Sequence, residues 1–124
     1  MIHHTSVAVS NYKTGKTFYQ KLLAPLGYTL GMDYADFKAA GFKDATAHQD
    51  FWIGEKASSG VHVAFVASGK EAVAAFHAAG LAAGGKDNGE PGYRTDYSPA
   101  YYAAFIHDAD GNNIEAVWMD PEKM

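Results

Sequence analysis

One pattern occurs twice along the sequence, at a constant distance of 58 residues. Its landmarks are a histidine at the start of an alternating strand, a serine before a helix, a phenylalanine on the apolar side of that helix and a glycine after it. The pairs are His4 and His62, Ser10 and Ser68, Phe18 and Phe76, and Gly27 and Gly85. A duplicated supersecondary unit restricts the fold to two related sheets. The sequence therefore predicts a single α+β domain of two βαβββ modules, with His4 and His62 in pseudo-symmetric positions.

The first module is predicted to span residues 1–57. It opens with residues 2–9, in which Val7 and Val9 point to one side and the intervening residues to the other, as in a half-buried strand. Ser10 or Asn11 then caps a helix with apolar residues at helical spacing. Further strands are predicted near residues 28–34, 36–42 and 50–55.

The second module is predicted to span residues 58–119. An alternating strand over residues 61–67 is followed by Ser68 and Glu71, which form a capping box for a helix expected to end at Gly80. The glycine-rich and tyrosine-rich segment from residue 84 to about residue 100 is predicted to be a loop. The module closes with strands over residues 101–107 and 113–119, joined by the hairpin dipeptide Asp110–Gly111.

Composition excludes several function classes. The formal net charge is −4 and Arg94 is the only arginine, so neither nucleic acid nor an anionic membrane surface is expected as a partner. The chain has no cysteine, which excludes disulfides, thiolate metal sites and cysteine nucleophiles. No apolar run approaches the roughly 18 residues of a membrane span, and no signal-peptide pattern is present, so we expect a cytoplasmic protein.

Two histidines and a glutamate are the candidate reactive groups. Glu115 lies within the apolar strand 113–119, where a carboxylate is costly to bury unless a partner compensates its charge. His4 and His62 lie near the starts of matching strands. Two imidazoles and one carboxylate form a facial triad suited to a divalent metal. Spacing alone does not decide between this site and ordinary half-buried histidines, which are the more common case for a strand, so this interpretation stays open.

Three segments carry a resemblance to a known superfamily. His4 with its strand, followed by Phe18–Tyr19, Leu22–Leu23 and Leu26–Gly27–Tyr28, resembles the first module of vicinal-oxygen-chelate proteins, which include glyoxalases, bleomycin-resistance proteins and extradiol dioxygenases. Residues 62–65 resemble the start of their second module. Residues 105–115 resemble their closing hairpin, with Ala109 where a proline is usual. The resemblance implies sheets that curl into an open cup, a metal held by His4, His62 and Glu115, and a homodimer in which modules of both subunits complete each site.

The resemblance also implies a pocket wall. The face of strand 101–107 that carries Tyr101 and Phe105 would look into the cavity, where Tyr101 is a candidate catalytic residue together with Glu115. The alternative for Tyr101 is a packing residue with its hydroxyl in water. Arg94 either anchors an anionic substrate or is a solvated loop arginine. Trp52 is a wall or core residue, and it stands where glyoxalase I has a second acidic ligand, which argues against methylglyoxal–glutathione chemistry.

Two functions from different classes follow. The first is a metal-dependent lyase, isomerase, transferase or dioxygenase that acts on a small oxygen-rich molecule chelated to Fe, Mn, Ni or Zn. Its substrate would contact Trp52, Arg94, Tyr101 and Phe105. The second is a metal-free binding protein of the bleomycin-resistance type, which would sequester an aromatic or cationic drug in a pocket rich in aromatic side chains.

Overall fold

The computed structural model describes residues 2–57 and 60–124. Within these ranges the chain forms eight strands, two α-helices and three short 3₁₀ turns. The first half contains β1 (Thr5–Val9), α1 (Tyr12–Leu23), β2 (Thr29–Tyr34), β3 (Ala39–Lys43) and β4 (Gln49–Glu55). The second half contains β5 (His62–Val66), α2 (Lys70–Ala82), β6 (Lys86–Tyr93), β7 (Tyr101–His107) and β8 (Asn113–Met119). The 3₁₀ turns are Ala24–Leu26, Ala35–Phe37 and Pro121–Lys123.

Each half folds into its own four-stranded sheet with the same topology. The strand order is β1-β4-β3-β2 in the first sheet and β5-β8-β7-β6 in the second. In both sheets the last strand returns to lie parallel to the first, and the remaining neighbours are antiparallel. The prediction of an α+β fold built from two βαβββ units is confirmed.

The two sheets share one hydrophobic core, which the helices help to fill. Phe18 and Leu22 of α1 are buried in the same cluster as Phe76 of α2 and Ile106 of β7. Gly80 of α2 allows close approach, because a Cβ there would lie 2.8 Å from Ile106 and 2.9 Å from Leu22. Since each sheet turns one face toward this core, side chains that alternate away from it lie on two open faces. The candidate site residues of the strands lie on these open faces.

The first strand is shorter than predicted. It begins at Thr5, where the parallel ladder with β4 begins by pairing Thr5 with Phe51. Residues 2–4 precede this ladder and are exposed. His4 therefore lies outside the strand that was expected to position it.

The predicted loop from residue 84 to about residue 100 was wrong in its first half, because Lys86–Tyr93 forms β6. This strand lies at the edge of the second sheet, where a proline and local bulges are tolerated. Its register with β7 shifts on both sides of Gly89, which has a φ of 154°. A polar edge strand with glycine and proline has no alternating pattern for sequence analysis to detect.

The start and end of α2 also differ from the prediction. Gly69 is the N-cap residue and no side chain caps the helix there, so Ser68 and Glu71 do not form the expected capping box. The helix continues past Gly80 to Ala82. The predicted boundary between the modules falls at residue 58, which lies outside the described residues. No helix in the described ranges has the length and apolar character needed to cross a membrane.

Candidate functional site

Glu115 lies at the centre of the open face of the second sheet. In the ladder it is opposite Ala64 of β5 and Phe105 of β7. The neighbours Ile114 and Ala116 face the core, so alternation directs Glu115 to the open face. The residue is nevertheless only 2% exposed. A carboxylate so far removed from water requires partners close to both of its oxygens.

Those partners are Tyr101 and His62. The Tyr101 hydroxyl donates a hydrogen bond of 2.5 Å to Oε2 of Glu115. Nε2 of His62 lies 3.1 Å from Oε1. Tyr101 starts β7 and His62 starts β5. These two strands flank β8 on either side, so they bring both side chains to one carboxylate. Three of the predicted site residues therefore meet.

The tautomer of His62 follows from its second nitrogen. Nδ1 lies 3.0 Å from the carbonyl oxygen of Asn113, which can only accept a hydrogen bond, so Nδ1 carries a hydrogen. In the neutral ring the lone pair of Nε2 then faces Glu115. Two electron-rich atoms at this distance attract only if a hydrogen, carried by either atom, or a metal ion lies between them. The His62 side chain is half exposed, so this position is open to solvent.

Tyr101 is held in its protonated form. Partial burial, and then the hydrogen bond to the Glu115 carboxylate, raise the pKa of Tyr101 to about 12. At neutral pH its hydroxyl is therefore a hydrogen-bond donor and not a base. The interpretation of Tyr101 as a packing residue with a solvated hydroxyl does not describe this contact.

Phe105 and Arg94 continue the same face. The Phe105 ring stacks against the His62 ring with centroids 6.3 Å apart. The guanidinium carbon of Arg94 lies 5.3 Å from the Phe105 ring, and its nitrogens donate to the carbonyls of Gly92 and Glu90. Arg94 is thus half-buried and fixed over β6, in contrast to a freely solvated loop arginine.

Trp52 and His4 lie apart from the cluster of Glu115, His62 and Tyr101. Trp52 is on the open face of the first sheet, where it stacks against Tyr34 with centroids 6.1 Å apart. His4 is exposed, and its Nδ1 lies 3.0 Å from Nδ1 of His3. Among residues 2–57 and 60–124, no three His, Asp or Glu side chains meet in an arrangement that could hold a metal ion. Within one chain, the structure joins His62 and Glu115 but does not add His4 to them.

Sequence analysis missed two supporting residues. The backbone carbonyl of Asn113 fixes the His62 ring, and no sequence signal indicates this contact, because it depends on the register of β5 against β8. Asp108, in the closing hairpin, accepts hydrogen bonds from the Tyr19 hydroxyl and from the backbone nitrogens of Asp110 and Asn112. These bonds hold the β7–β8 hairpin that precedes Glu115 in place.

Comparison with solved structures places this architecture among known proteins. A glyoxalase/bleomycin resistance protein from Albidiferax ferrireducens T118 is 30% identical in sequence, with a TM-score of 0.80, over 93% of this chain and 96% of that chain. The chain belongs to the glyoxalase/bleomycin resistance protein family. The resemblance to the vicinal-oxygen-chelate superfamily is thereby confirmed.

Two further solved structures share the fold at lower identity. A glyoxalase/bleomycin resistance protein/dioxygenase family enzyme from Burkholderia phytofirmans PsJN has a TM-score of 0.71 at 15% identity, over 95% of this chain and 98% of that one. Lactoylglutathione lyase from Agrobacterium tumefaciens has a TM-score of 0.70 at 16% identity, over 95% and 92%. At these identities the likeness establishes the fold alone. No family model and no curated protein sequence matched the chain.

Proposed function

We propose that this glyoxalase-family protein is a divalent-metal-dependent enzyme, of the lyase, isomerase, transferase or dioxygenase type, that acts on a small oxygen-rich molecule. The observation that carries the proposal is the approach of His62 Nε2 to Glu115 Oε1, 3.1 Å apart on the open face of the second sheet. Imidazole and carboxylate ligands suit Fe, Mn, Ni and Zn, and they do not select among these metals.

The chemistry of this pair fits a metal ion. Nitrogen and oxygen ligands about 2.0 to 2.2 Å from a metal lie roughly 3 Å from each other. The Nδ1 of His62 is bound to the Asn113 carbonyl, an orienting contact that is common for metal-binding histidines. The exposed half of the His62 ring leaves room for a further ligand and for a substrate.

We propose His4 as the third ligand, supplied by a second copy of the chain in a homodimer. The open faces support association, since both expose apolar side chains. These include Val66, Met119, Met32 and Tyr34, which are 85%, 39%, 38% and 47% exposed. Burial of such surface is the main driving force of association. A two-fold dimer would form two equivalent sites, each with His62 and Glu115 of one chain and His4 of the other.

The other residues of the open face have separate roles in this proposal. When bound, the metal would act as a Lewis acid on two neighbouring oxygens of the substrate. Tyr101, whose single hydroxyl hydrogen is donated to Glu115, would orient that carboxylate and accept a hydrogen bond from a hydroxyl group of the substrate. Phe105 would form an apolar wall, and Arg94 above it would favour substrates with an anionic group. Trp52 would line the facing wall from the first sheet of the partner.

Metal analysis tests the first part of the proposal. Protein purified without chelator should contain near-stoichiometric metal, measured by mass spectrometry of the elements. His62→Ala and Glu115→Ala should each lose it, whereas Glu122→Gln, an exposed glutamate near the C-terminus, should retain it. Tyr101→Phe should keep the metal and lose turnover in a panel of diols, catechols and thiol adducts. Metal that persists in both ligand variants would exclude this site.

A mixing experiment tests whether two subunits share the site. His4→Ala and Glu115→Ala chains are each expected to bind no metal alone. After subunit exchange, each mixed dimer contains one site with all three ligands, so an equal mixture should recover about a quarter of the wild-type metal. Complete absence of recovery, with mixed dimers verified by mass spectrometry, would contradict a shared site.

A second function has a specific observation in its favour. Within the described part of one chain no complete metal-binding group is present, and both oxygens of Glu115 already have partners. A metal-free protein that sequesters an aromatic or cationic drug on the aromatic open faces would fit these contacts. Such a protein would be purified without metal, and its drug affinity would be unchanged in His62→Ala.

A further inference from the structure

The last two strands of each module are joined by the same tight turn. In both turns the first residue, an aspartate, donates a backbone hydrogen bond of 3.1 Å to the carbonyl of the residue four positions later. Its carboxylate accepts from the backbone nitrogens two and four positions later. The fourth residue has a positive φ, of 66° in the first module and 81° in the second. The corresponding residues are Asp44 and Asp108, Ala45 and Ala109, Thr46 and Asp110, Ala47 and Gly111, and His48 and Asn112.

The β7–β8 hairpin is fastened to the free edge of β1. Oδ2 of Asp110 accepts a hydrogen bond of 3.0 Å from the backbone nitrogen of Ser10. Nδ2 of Asn112 donates to the carbonyl of Ala8, also at 3.0 Å. Two side chains of the hairpin thus satisfy backbone groups that β1 turns away from its own sheet. Because the two halves are related by pseudo-symmetry, the β3–β4 hairpin is expected to cover the free edge of β5 in the same way.

The β3–β4 hairpin does not follow this symmetry. At the offset of 58 residues, Val66 and Ser68 correspond to Ala8 and Ser10. Ala67 donates to β8, so the alternation of the strand turns the backbone of Val66 to the free edge. Within residues 2–57 and 60–124, neither the carbonyl of Val66 nor the backbone nitrogen of Ser68 has a hydrogen-bond partner, and Val66 is 85% exposed. A cleft of about 670 Å³, with residues of both the hairpin and β5 in its lining, lies between them.

His48 holds the hairpin in this open position. Its Nε2 lies 2.7 Å from the carbonyl oxygen of His3, and the two rings pack edge-to-face with centroids 4.3 Å apart. His3 precedes β1 and is exposed, so water competes for this bond and its net contribution is small. Closure would remove Val66 and the apolar lining of the cleft, which includes Leu26 and Phe65, from water. The hairpin therefore has two competing positions.

We propose that residues 44–48 form a lid, which closes onto the free edge of β5 as the β7–β8 hairpin is closed onto β1. In the closed position Thr46 lies beside the backbone nitrogen of Ser68, and His48 lies beside the carbonyl of Val66. His62 lines the same cleft, so closure limits access to its exposed half. Control of entry to the metal site rests on the proposed function, whereas the motion of the lid does not.

Relaxation dispersion of the backbone amides tests the motion in metal-free protein, so that the result does not depend on metal binding. Residues 44–48 and 63–67 should show exchange with one shared rate, on the microsecond to millisecond timescale of lid motions. Residues 108–112 provide the matched control in the same molecule and should show none. Absence of exchange in residues 44–48, or equal exchange in both hairpins, would overturn the proposal.

A disulfide can trap the closed position, because the chain has no cysteine of its own. Thr46→Cys with Ser68→Cys should cross-link under mild oxidation, since a disulfide requires Cα atoms within about 7 Å of each other. Asp110→Cys with Ser10→Cys is the positive control, at residues that are already in contact. The control pair should react about tenfold faster, because the lid is closed for only a fraction of the time. A control pair that cross-links while the test pair stays reduced would contradict the lid.

The side chains of the fastened hairpin should also fasten the lid. Thr46→Asp with His48→Asn gives residues 44–48 the two side chains that bind β1 in the second module, and should raise the ratio of closed to open lid about tenfold. The amide signal of Val66 should then move toward its position in the oxidised cysteine pair. Ala45→Asp is the matched control, since its counterpart makes no bond to β1 among the described residues. A folded double variant whose Val66 signal moves no further than that of the control would count against closure.

Discussion

Tyr101 and Glu115 are joined by a hydrogen bond of 2.5 Å across the open face of the second sheet, from the first residue of β7 to the middle of β8. Only 2% of Glu115 is exposed, so water cannot replace this donor. The bond links β7 to the candidate site, because it orients the Glu115 carboxylate, whose other oxygen faces His62.

Removal of the Tyr101 hydroxyl should destabilise the protein. Tyr101→Phe is expected to lower the free energy of unfolding by about 2 kcal/mol, the usual range for a hydrogen bond to a charged group. Urea denaturation provides the measurement. Tyr97→Phe is the control, because Tyr97 is 66% exposed although its ring packs on Tyr101, and its change should stay within about 0.5 kcal/mol. In a Glu115→Leu background the cost of Tyr101→Phe should largely disappear; an undiminished cost would mean that the two residues are not coupled.

Asn112 should be among the most sensitive polar residues, because it connects both halves of the chain. Its side-chain nitrogen donates to the carbonyl of Ala8 in β1 and to Asp108, at 3.0 and 2.8 Å. Its side-chain oxygen accepts from the backbone nitrogen of Val61, just before β5, at 3.0 Å. Asn112→Ala leaves several buried groups without partners and should cost roughly 3 kcal/mol or more in urea denaturation.

Asn88→Ala is the matched control for Asn112→Ala. Asn88 is exposed, and its one side-chain bond within residues 2–57 and 60–124, of 3.2 Å, is to Asn113. Its replacement should change the free energy of unfolding by no more than about 0.5 kcal/mol. Equal effects of the two substitutions would show that the buried connections of Asn112 do not contribute to stability as argued.

The strands that sequence analysis located most accurately are β7 and β8. Both were predicted with the bounds that the structure has, because each is a largely apolar run and a hairpin signal separates them. The edge strand β6 has no such pattern and was missed. Its position depends on pairing with β7, which is a tertiary contact that local sequence does not encode.

The candidate site was predictable only in part. Alternation along β8 was sufficient to place Glu115 on the face opposite Ile114. The contact with His62 depends on β5 lying beside β8. Family resemblance implied this arrangement, whereas residue spacing could not reveal it. His4 precedes β1, and its side chain is not fixed by the strand ladder. The location of His4 relative to Glu115 in an assembly stays a prediction.

Gly80 should resist substitution although it lies within a helix. Alanine has a helix propensity about 1 kcal/mol better than glycine. A Cβ at this position would, however, lie 2.8 Å from Ile106 Cγ1 and 2.9 Å from Leu22 Cδ1, and overpacking of a core typically costs 1 to 3 kcal/mol, so we expect a net loss of about 1 kcal/mol. Ala78→Gly, at an exposed position of the same helix, measures the propensity effect alone. A thermal melt in which Gly80→Ala is stabilised would show that the core relaxes around the added methyl group.

The contact between α2 and β6 should weaken at acid pH. His77 is 8% exposed, and its Nε2 lies 2.9 Å from Oδ1 of Asp87 on β6. The hydrogen bond from His77, and then the bond from the backbone nitrogen of Gly89, hold the pKa of Asp87 below its ordinary value of 3.8, with a smaller contribution from the charge of Arg94. Carbon-detected titration of the Asp87 carboxyl group should give a midpoint below 3.8, and His77→Gln should move it upward.

The sign of the resulting stability change follows from the direction of this shift. Since folding lowers the pKa of Asp87, its contribution to stability is present above the unfolded value of 3.8 and is lost as the pH falls through the folded value. Asp87→Asn should therefore be less stable than the wild type at neutral pH, and the difference between their melting temperatures should shrink below pH 3.8. Asp96→Asn, at an exposed loop carboxylate, should show no such convergence. Because the Asp87 side chain is 48% exposed, solvent and salt screen the pair, so the effect should be modest and should weaken as the ionic strength rises. A difference that stays constant from neutral to acid pH would mean that the Asp87 charge does not stabilise this contact.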